Sequence, residues 1–565
     1  MFDVRCIEVH SSFVWNSAHM RRIIAFASTH DINAIALHRN DIVDLVVYPG
    51  CYFGATKSVY RSNFERYQDS FEQVFRSPTR GDRPTRARTY LRCLIEEAGA
   101  QGISVYLENK ELYFDDTIVH QHPEVVIDGR ICASSPFWTG FVHNKYTELT
   151  QELPGLAGII VSPGTAESRV SIASNQCSCD SCKSTSEASW YLDILGAMQR
   201  PLEQAGMELV VRDFSFTSGA HGAMVDTVAT LPSTVGISFK NTPHDFYPTF
   251  PHNARIGTLV GRQQWVEIDC MGQFYGWGIA PSLMLLDIRD RLSHAANQGV
   301  SGVIFRSDWE GLEGHSSMDT LNRFNLCVGA LLSRTPSMDD QELCAHFLDE
   351  SVNRVGIGVD QHSLREASAW CAAILPASWT SLRRALFSRD CVFSESSCLP
   401  VSIADALWVG NTKDSLADWD PSAIGALAPT PHNADGLCEE ADSAITSVRE
   451  SRSALELAPT GVPTDLLAEL RSAWGILEDY VVQFALAVKA VHLGNLMMSR
   501  KSRGERITQH VAERLASVLG DLTRHADLIA QRYRLGDYSY PTHMLLDPER
   551  ISVLVESIRH DVEIA

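Results

Sequence analysis

The chain is short of positive charge. Its 48 Lys and Arg stand against 69 Asp and Glu, a formal net charge of −21 over 565 residues. Nonspecific nucleic-acid binding relies on clustered cations that displace counterions, so no nucleic-acid partner is expected, and adsorption to anionic membranes is disfavoured likewise. An acidic sugar remains compatible, because local charge in a pocket can oppose the global sign. Long hydrophobic runs are also lacking. No segment approaches about 18 uninterrupted apolar residues, which predicts no membrane span. The start, MFDVRCIEVHSSFVW, has no basic stretch followed by an apolar one, which speaks against a signal peptide. There is no internal repeat and no low-complexity tract. Fourteen cysteines are present, most of them standing singly in apolar stretches, as do Cys93, Cys270, Cys327, Cys344 and Cys371. Buried free thiols in a reducing cytoplasm account for that pattern better than a disulfide framework.

What is present is an ordinary globular composition, 45% hydrophobic and 21% charged, in a chain too long for one domain. Over the first 330 residues, short β-branched runs alternate with helical stretches. The strand candidates are 5–10, 33–38, 102–107, 158–162, 208–214, 235–240, 265–270 and 302–307. Helix-prone segments such as SAHMRRIIAFASTH and YLDILGAMQRPLEQAG separate most of them. Strand-then-helix alternation implies a parallel sheet, and eight units imply a closed (β/α)8 TIM barrel over 1–335. The alternative is a doubly wound open sheet, weakened because no glycine-rich phosphate loop follows the first strand. From 336 to 565 strand signals nearly vanish, and helical periodicity over 338–410 and 436–562 predicts an all-α C-terminal domain. A Pro/Ala/Gly-rich connection lies between these stretches at 420–436.

In a barrel of this kind the chemistry lies at the C-terminal ends of the strands. The residues to inspect are therefore His38, Glu108, Lys110, Glu167, Arg212, Lys240, Asn241, Asp245, Glu267, Asp269, Gln273, Asp308, Trp309 and Glu310. Such a rim suits a sugar. Carboxyls can protonate a leaving oxygen or activate water, polar groups bind hydroxyls, and aromatic faces stack on pyranose C–H faces. Trp138, Trp265, Trp277 and Trp309 are near in sequence. Glu267 and Asp269 share one strand face by the period-two rule, either as pocket residues or in an ion pair. Polar strand ends also occur in isomerases and lyases, so that class stays open.

Three segments, LPGLAGIIVSPGTAE (153–167), VGISFKNTPHDFYPTFP (235–251) and WVEIDCMGQFYGWG (265–278), resemble the α-glucuronidases of glycoside hydrolase family 67 and their barrel relatives. The spacing to GVIFRSDWEGLEGH (302–315) also fits. The similarity covers roughly 150–350 and extends loosely into the helical region. The β-rich N-terminal domain of those enzymes is not expected here. The resemblance implies an inverting, exo-acting glycosidase. It assigns the general acid to Glu167 and the general base to Asp245, within Lys240-Asn241-Thr242-Pro243-His244-Asp245-Phe246. Arg212 and Lys240 match basic substrate-binding residues. Family members dimerise through the helical domain, which implies a homodimer, and no cofactor is implied.

There are two departures. Where the family has a second base carboxylate, this chain has the amide Gln273, which cannot take a proton from water but can hold it by hydrogen bonds. Either Asp245 suffices, or Gln273 marks a changed activity in a sugar-binding barrel without turnover, or it is a deliberate Glu→Gln change. Ser162 stands where the α-glucuronidases carry a Lys for the uronate carboxylate, so a neutral or differently decorated sugar is an alternative to glucuronic acid.

Finally, Cys177, Cys179 and Cys182 form C-x-C-x-x-C after the fourth strand candidate, ten residues beyond Glu167. Structural zinc with a fourth ligand from elsewhere is one reading; unligated thiols or a disulfide is the other. No second close pair is visible.

Overall fold

A computed structural model of the chain describes residues 2–47, 83–114, 118–119, 122–165, 167–173, 177–214, 218–355, 361–394, 396–411 and 425–564. Ten strands lie among them: β1 Val4–Val9, β2 Ala34–His38, β3 Ser104–Glu111, β4 Val126–Ile127, β5 Arg130–Ile131, β6 Gly158–Pro163, β7 Glu208–Arg212, β8 Val235–Lys240, β9 Gln264–Asp269 and β10 Gly302–Arg306. Eight close a barrel in the order β1-β10-β9-β8-β7-β6-β3-β2, and β4 and β5 form a separate hairpin. Every predicted barrel strand is present. The third runs on to Glu111, four residues past the predicted end, because it pairs in parallel with β6 from Tyr106↔Gly158 to Glu111↔Pro163. The strands are buried almost throughout, and their first halves are largely apolar.

Among the described residues, seven helices lie between or after the first strands: α1 Ser17–Thr29, α2 Ile42–Val46, α3 Arg83–Gly99, α4 Phe137–Glu152, α5 Asp180–Ser184, α6 Glu187–Gln204 and α7 Ser218–Thr230. They are followed by α8 Leu285–Asn297, α9 Arg323–Arg334, α10 Asp340–Val355, α11 Gln361–Ile374, α12 Pro376–Leu386, α13 Ile403–Asn411, α14 Pro431–Ala454, α15 Thr464–Ser502, α16 Gln509–Arg532, α17 Tyr540–Leu545 and α18 Pro548–Ile564. The predicted connection 420–436 ends earlier than expected, because α14 begins at Pro431. Thr430 caps α14 by accepting from the Asn433 N–H, and Pro431 occupies its first turn, where a missing N–H costs nothing. Residues 420–424 of that connection lie outside the described residues.

The chain forms two compact units. The first comprises Met1–Asn241, Asn253–Ile268 and Ala295–Gly314; the second comprises Thr242–His252, Asp269–His294 and His315–Ala565. Membership therefore does not follow one cut near residue 335. Segment 269–294 belongs with the helices because their side chains satisfy its backbone: Asn322 Nδ2 donates to the Met271 carbonyl at 2.9 Å, and the Gly276 N–H donates to Ser397 Oγ at 2.9 Å.

Inside the first unit, Cys6, Ala34, Ala36, Tyr106, Ile160, Val210, Trp265 and Ile304 fill the barrel. Tyr106 meets Trp265 edge-on with centroids 5.3 Å apart. Gly302 makes room for that indole, since a Cβ there would lie 2.4 Å from Trp265 Cδ1. Within the second unit α15 is the core helix. It buries Leu470, Trp474, Leu477, Tyr480, Phe484 and Val488, and Trp474 Nε1 donates to Ser451 Oγ of α14 at 3.1 Å. It is also the one helix among the described residues long and apolar enough to cross a membrane, and 78% of its apolar stretch is buried.

Of the singly placed cysteines, Cys270, Cys327, Cys344 and Cys371 are buried, while Cys93 is exposed on the polar side of α3. All described cysteines are free.

Candidate active site

The period-two alternation that fills the barrel also builds the polar layer above it. Two residues beyond Cys6, Ala36, Tyr106, Val210, Trp265 and Ile304 come Glu8, His38, Glu108, Arg212, Glu267 and Arg306, all buried. Two further on stand Lys110 on β3 and, from Ser238 on β8, Lys240.

The polar layer is one network. Arg212 Nη2 lies 2.8 Å from Glu267 Oε2, and its Nε lies 3.2 Å from Glu108 Oε1. Ser238 Oγ donates to Glu267 Oε1 at 2.7 Å. His38 Nδ1 is 2.7 Å from Glu8 Oε1 and 3.1 Å from Glu108 Oε1. The His10 ring stacks on His38, with centroids 3.5 Å apart and planes at 11°. Arg306 Nε donates to His10 Nδ1 at 3.1 Å, and guanidinium only donates, so the His10 proton sits on Nε2, 2.9 Å from Glu310 Oε2. Burial, reinforced by Glu8, pushes the Glu108 carboxyl well above the usual carboxylate range against the pull of Arg212. Burial likewise lowers His38 and His10, His38 well below the ordinary imidazole value. Burial alone would raise Glu310, but His10 and Arg306 hold it far below its ordinary value.

At the mouth of this barrel, Lys110 Nζ is bonded to a Glu167 carboxylate oxygen. The loop carrying Glu167 is held to the end of β3. Ser168 Oγ donates to the Glu111 carbonyl at 2.6 Å, the Glu167 N–H donates to Thr165 Oγ1 at 3.2 Å, and the Gly164 N–H donates to the Glu111 carbonyl at 2.6 Å. Gly164 has φ +67°, and a Cβ there would lie 2.9 Å from Trp190 Cζ3, so glycine is needed. Three cations surround the Phe214 ring: Lys240 Nζ at 4.1 Å, Lys110 Nζ at 5.2 Å and Arg212 Cζ at 5.8 Å from its centroid.

The remaining predicted residues are placed as follows. In the first unit, the Asn241 N–H donates to the Glu267 carbonyl at 3.1 Å. Asp308 is fully buried, accepting from the His10 N–H at 2.7 Å and from Ser307 Oγ at 2.9 Å, and burial lifts its carboxyl to about 6. Trp309 is half-buried over Gly311. In the second unit, Asp269 accepts from the N–H groups of Met271 at 3.0 Å, Gly272 at 3.2 Å and Gln273 at 2.8 Å, which shapes the turn after β9. The Gln273 carbonyl accepts from Trp277 Nε1 at 2.9 Å, and Trp277 is buried. Asp245 sits at φ +43°, where its carbonyl accepts from Thr242 Oγ1 at 2.6 Å. Trp138 and Trp265 are core residues, 0% exposed.

Glu8, His10 and Phe214 were not anticipated. The signal for the first two is the alternation Cys6-Glu8-His10 in the first strand candidate, which puts two polar residues on the face that the cysteine turns into the core. Cys177, Cys179 and Cys182 are brought together, with Cys132 as a fourth member.

Neither a family model nor a curated protein sequence matches the chain. A GH138 enzyme targeting pectin rhamnogalacturonan II is similar in structure over 100% of this chain and 67% of its own, with a TM-score of 0.60 at 10% identity. A mutant O-GlcNAc hydrolase from Thermobaculum terrenum matches over 100% of this chain and 94% of its own, with a TM-score of 0.42 at 10% identity. A GH20 exo-β-N-acetylglucosaminidase from Vibrio harveyi matches over 60% of this chain and 55% of its own, with a TM-score of 0.38 at 11% identity. The first of these is a shared fold.

Proposed function

We propose that this chain is a glycoside hydrolase that releases an α-linked, carboxylate-bearing sugar, a uronic acid or close relative, from the end of an oligosaccharide with inversion. The carrying observation is the trio Lys110, Arg212 and Lys240 around Phe214, beside a half-exposed Glu167. An apolar ring suits a sugar's C–H face, and the ammonium groups suit its carboxylate. Lys110 pairs with Ser162 in the β3–β6 register, so a cation from the adjoining strand stands in for the Lys that the α-glucuronidases carry at Ser162. The structurally similar GH138 enzyme targets a pectin. Pectins carry uronic carboxylates, in keeping with this reading.

Glu167 is the general acid. The substrate's carboxylate takes Lys110, which frees Glu167 to take up a proton from solvent and pass it to the leaving oxygen as the glycosidic C–O bond breaks. Water attacks the anomeric carbon from the opposite face and gives its proton to Asp245, while the Gln273 amide orients it. The roles of Asp245 and Gln273 rest on the resemblance of their segments; the left-handed φ of Asp245 is the kind of strain that clusters at functional positions. Asn241, Glu267, Asp269, Trp277, Asp308, Trp309, His38 and Glu108 complete or support the sugar site. A homodimer through the helices belongs to the proposal on the resemblance alone.

Gln273 favours one other reading, a carbohydrate-binding barrel without turnover. A panel of α-linked oligosaccharides ending in uronic or neutral sugars, with products followed by NMR, separates the two. Release of the uronic monosaccharide alone is expected. Binding without release would leave the non-catalytic reading.

A further inference from the structure

Outside the barrel mouth, the strongest unexplained cluster in the first unit is four cysteines. The Sγ atoms of Cys132, Cys177, Cys179 and Cys182 all lie within 4.8 Å of one another. Cys132 Sγ is 3.7 Å from Cys179 Sγ and 3.5 Å from Cys182 Sγ. A disulfide needs about 2.05 Å, so these are not bonded sulfurs. They match a different geometry: four thiolates about 2.3 Å from one tetrahedral zinc stand about 3.8 Å apart.

The surroundings are built for such a site. Cys132 directly follows the β4–β5 hairpin, far in sequence from the other three. Its backbone is fixed from several directions: its N–H donates to the Val125 carbonyl at 2.8 Å, and its carbonyl accepts from Trp138 Nε1 at 2.9 Å. One residue on, the Ala133 carbonyl accepts from Trp190 Nε1 at 2.9 Å. Opposite, Cys179 caps α5, and its sulfur accepts the Cys182 N–H at 3.3 Å. An N–H aimed at a sulfur stabilises the negative charge a metal-bound thiolate keeps. Three of the four residues are buried and only Cys179 is partly open, as in a closed structural site rather than a catalytic one with a free position.

We propose that Cys132, Cys177, Cys179 and Cys182 bind one Zn²⁺ as a closed tetrathiolate site that staples the segment following the Glu167 loop to the β4–β5 hairpin. On binding, the thiols release their protons and all four sulfurs ligate the ion, with no redox change. The function is mechanical: one ion fixes two long connections to each other.

The test uses the full chain, expressed with zinc supplementation and purified under reducing conditions. Elemental analysis should find about one zinc per chain. Cys132→Ala and Cys182→Ala should fall to background, while Cys93→Ala should keep the metal. Cobalt(II) added after zinc removal should give the thiolate-to-cobalt charge-transfer bands and the strong visible bands of a tetrahedral sulfur site, and chelation should lower the melting temperature. If the cysteine variants do not fold, the cobalt spectrum of the unaltered chain decides. Less than about 0.2 zinc per chain, iron in its place, a disulfide among the four, or cobalt bands without thiolate character would overturn the proposal.

Discussion

Lys110 and Glu167 form an ion pair between the end of β3 and the loop after β6, with the Lys110 ammonium almost fully buried and the Glu167 carboxylate part-open to solvent. The cation is in place before any substrate arrives, and it is paired with the group proposed to act as acid. An incoming carboxylate must compete with Glu167 for Lys110.

That coupling predicts the effect of Lys110→Met. Losing a charge-assisted contact of about 1.5–3 kcal/mol should weaken kcat/KM on a uronate-ended substrate by roughly ten- to a hundredfold. The neutral analogue should be affected little. Steady-state kinetics on a matched pair checks it, and an equal loss on both substrates would count against a carboxylate-binding role.

Arg212 is the counter-ion of the buried layer, between Glu108 and Glu267. Arg212→Met should lower unfolding free energy by about 3–5 kcal/mol, the usual result of breaking a buried ion pair from one side. Adding Glu267→Gln should recover part of the loss. Urea unfolding followed by circular dichroism reads both steps.

Packing below that layer is equally specific. Gly302→Ala would drive a methyl into the Trp265 indole. The expected loss is about 1–3 kcal/mol, as for other overpacked cores, with Trp265→Leu in the same chain restoring some of it. Thermal melts of the two variants against the unaltered chain decide.

Acid should destabilise the helical unit. Burial lowers His492 from 6.5 to about 4 in the folded chain. Between those values the unfolded chain takes up a proton that the folded chain refuses, so stability is intact above about pH 6.5 and falls as pH drops towards 4. Relative to the unaltered chain, His492→Leu should gain stability steadily over that window and show a constant difference above it. A difference that does not change with pH would remove His492 as the cause.

Much of the barrel is legible in the sequence because parallel strands buried on both faces are short β-branched runs bounded by turns, as VGISFK at Val235–Lys240 shows. What was less legible depends on side-chain direction or on distance along the chain. Glu8 lies within the first strand rather than past its end, where a barrel's polar rim is expected, and His10 directly follows that strand. Trp138 and Trp265 read as sugar platforms near the rim, but both are 0% exposed, because a large apolar ring gains more from core packing than from solvent. The fourth cysteine, Cys132, joins the other three only through a hairpin that two-residue strands do not announce. Segment 269–294 reads as barrel, yet Asn322 and Ser397 hold its backbone within the helical unit.

The most direct test is time-resolved proton NMR of hydrolysis of a uronate-ended, α-linked oligosaccharide by the unaltered chain and by Glu167→Gln. The account predicts that the β-anomer of the released uronic acid appears first, and that kcat/KM drops by about 10²–10⁴ in the variant, the range a general acid supplies. Release of the α-anomer first, or an undiminished rate in Glu167→Gln, would contradict it.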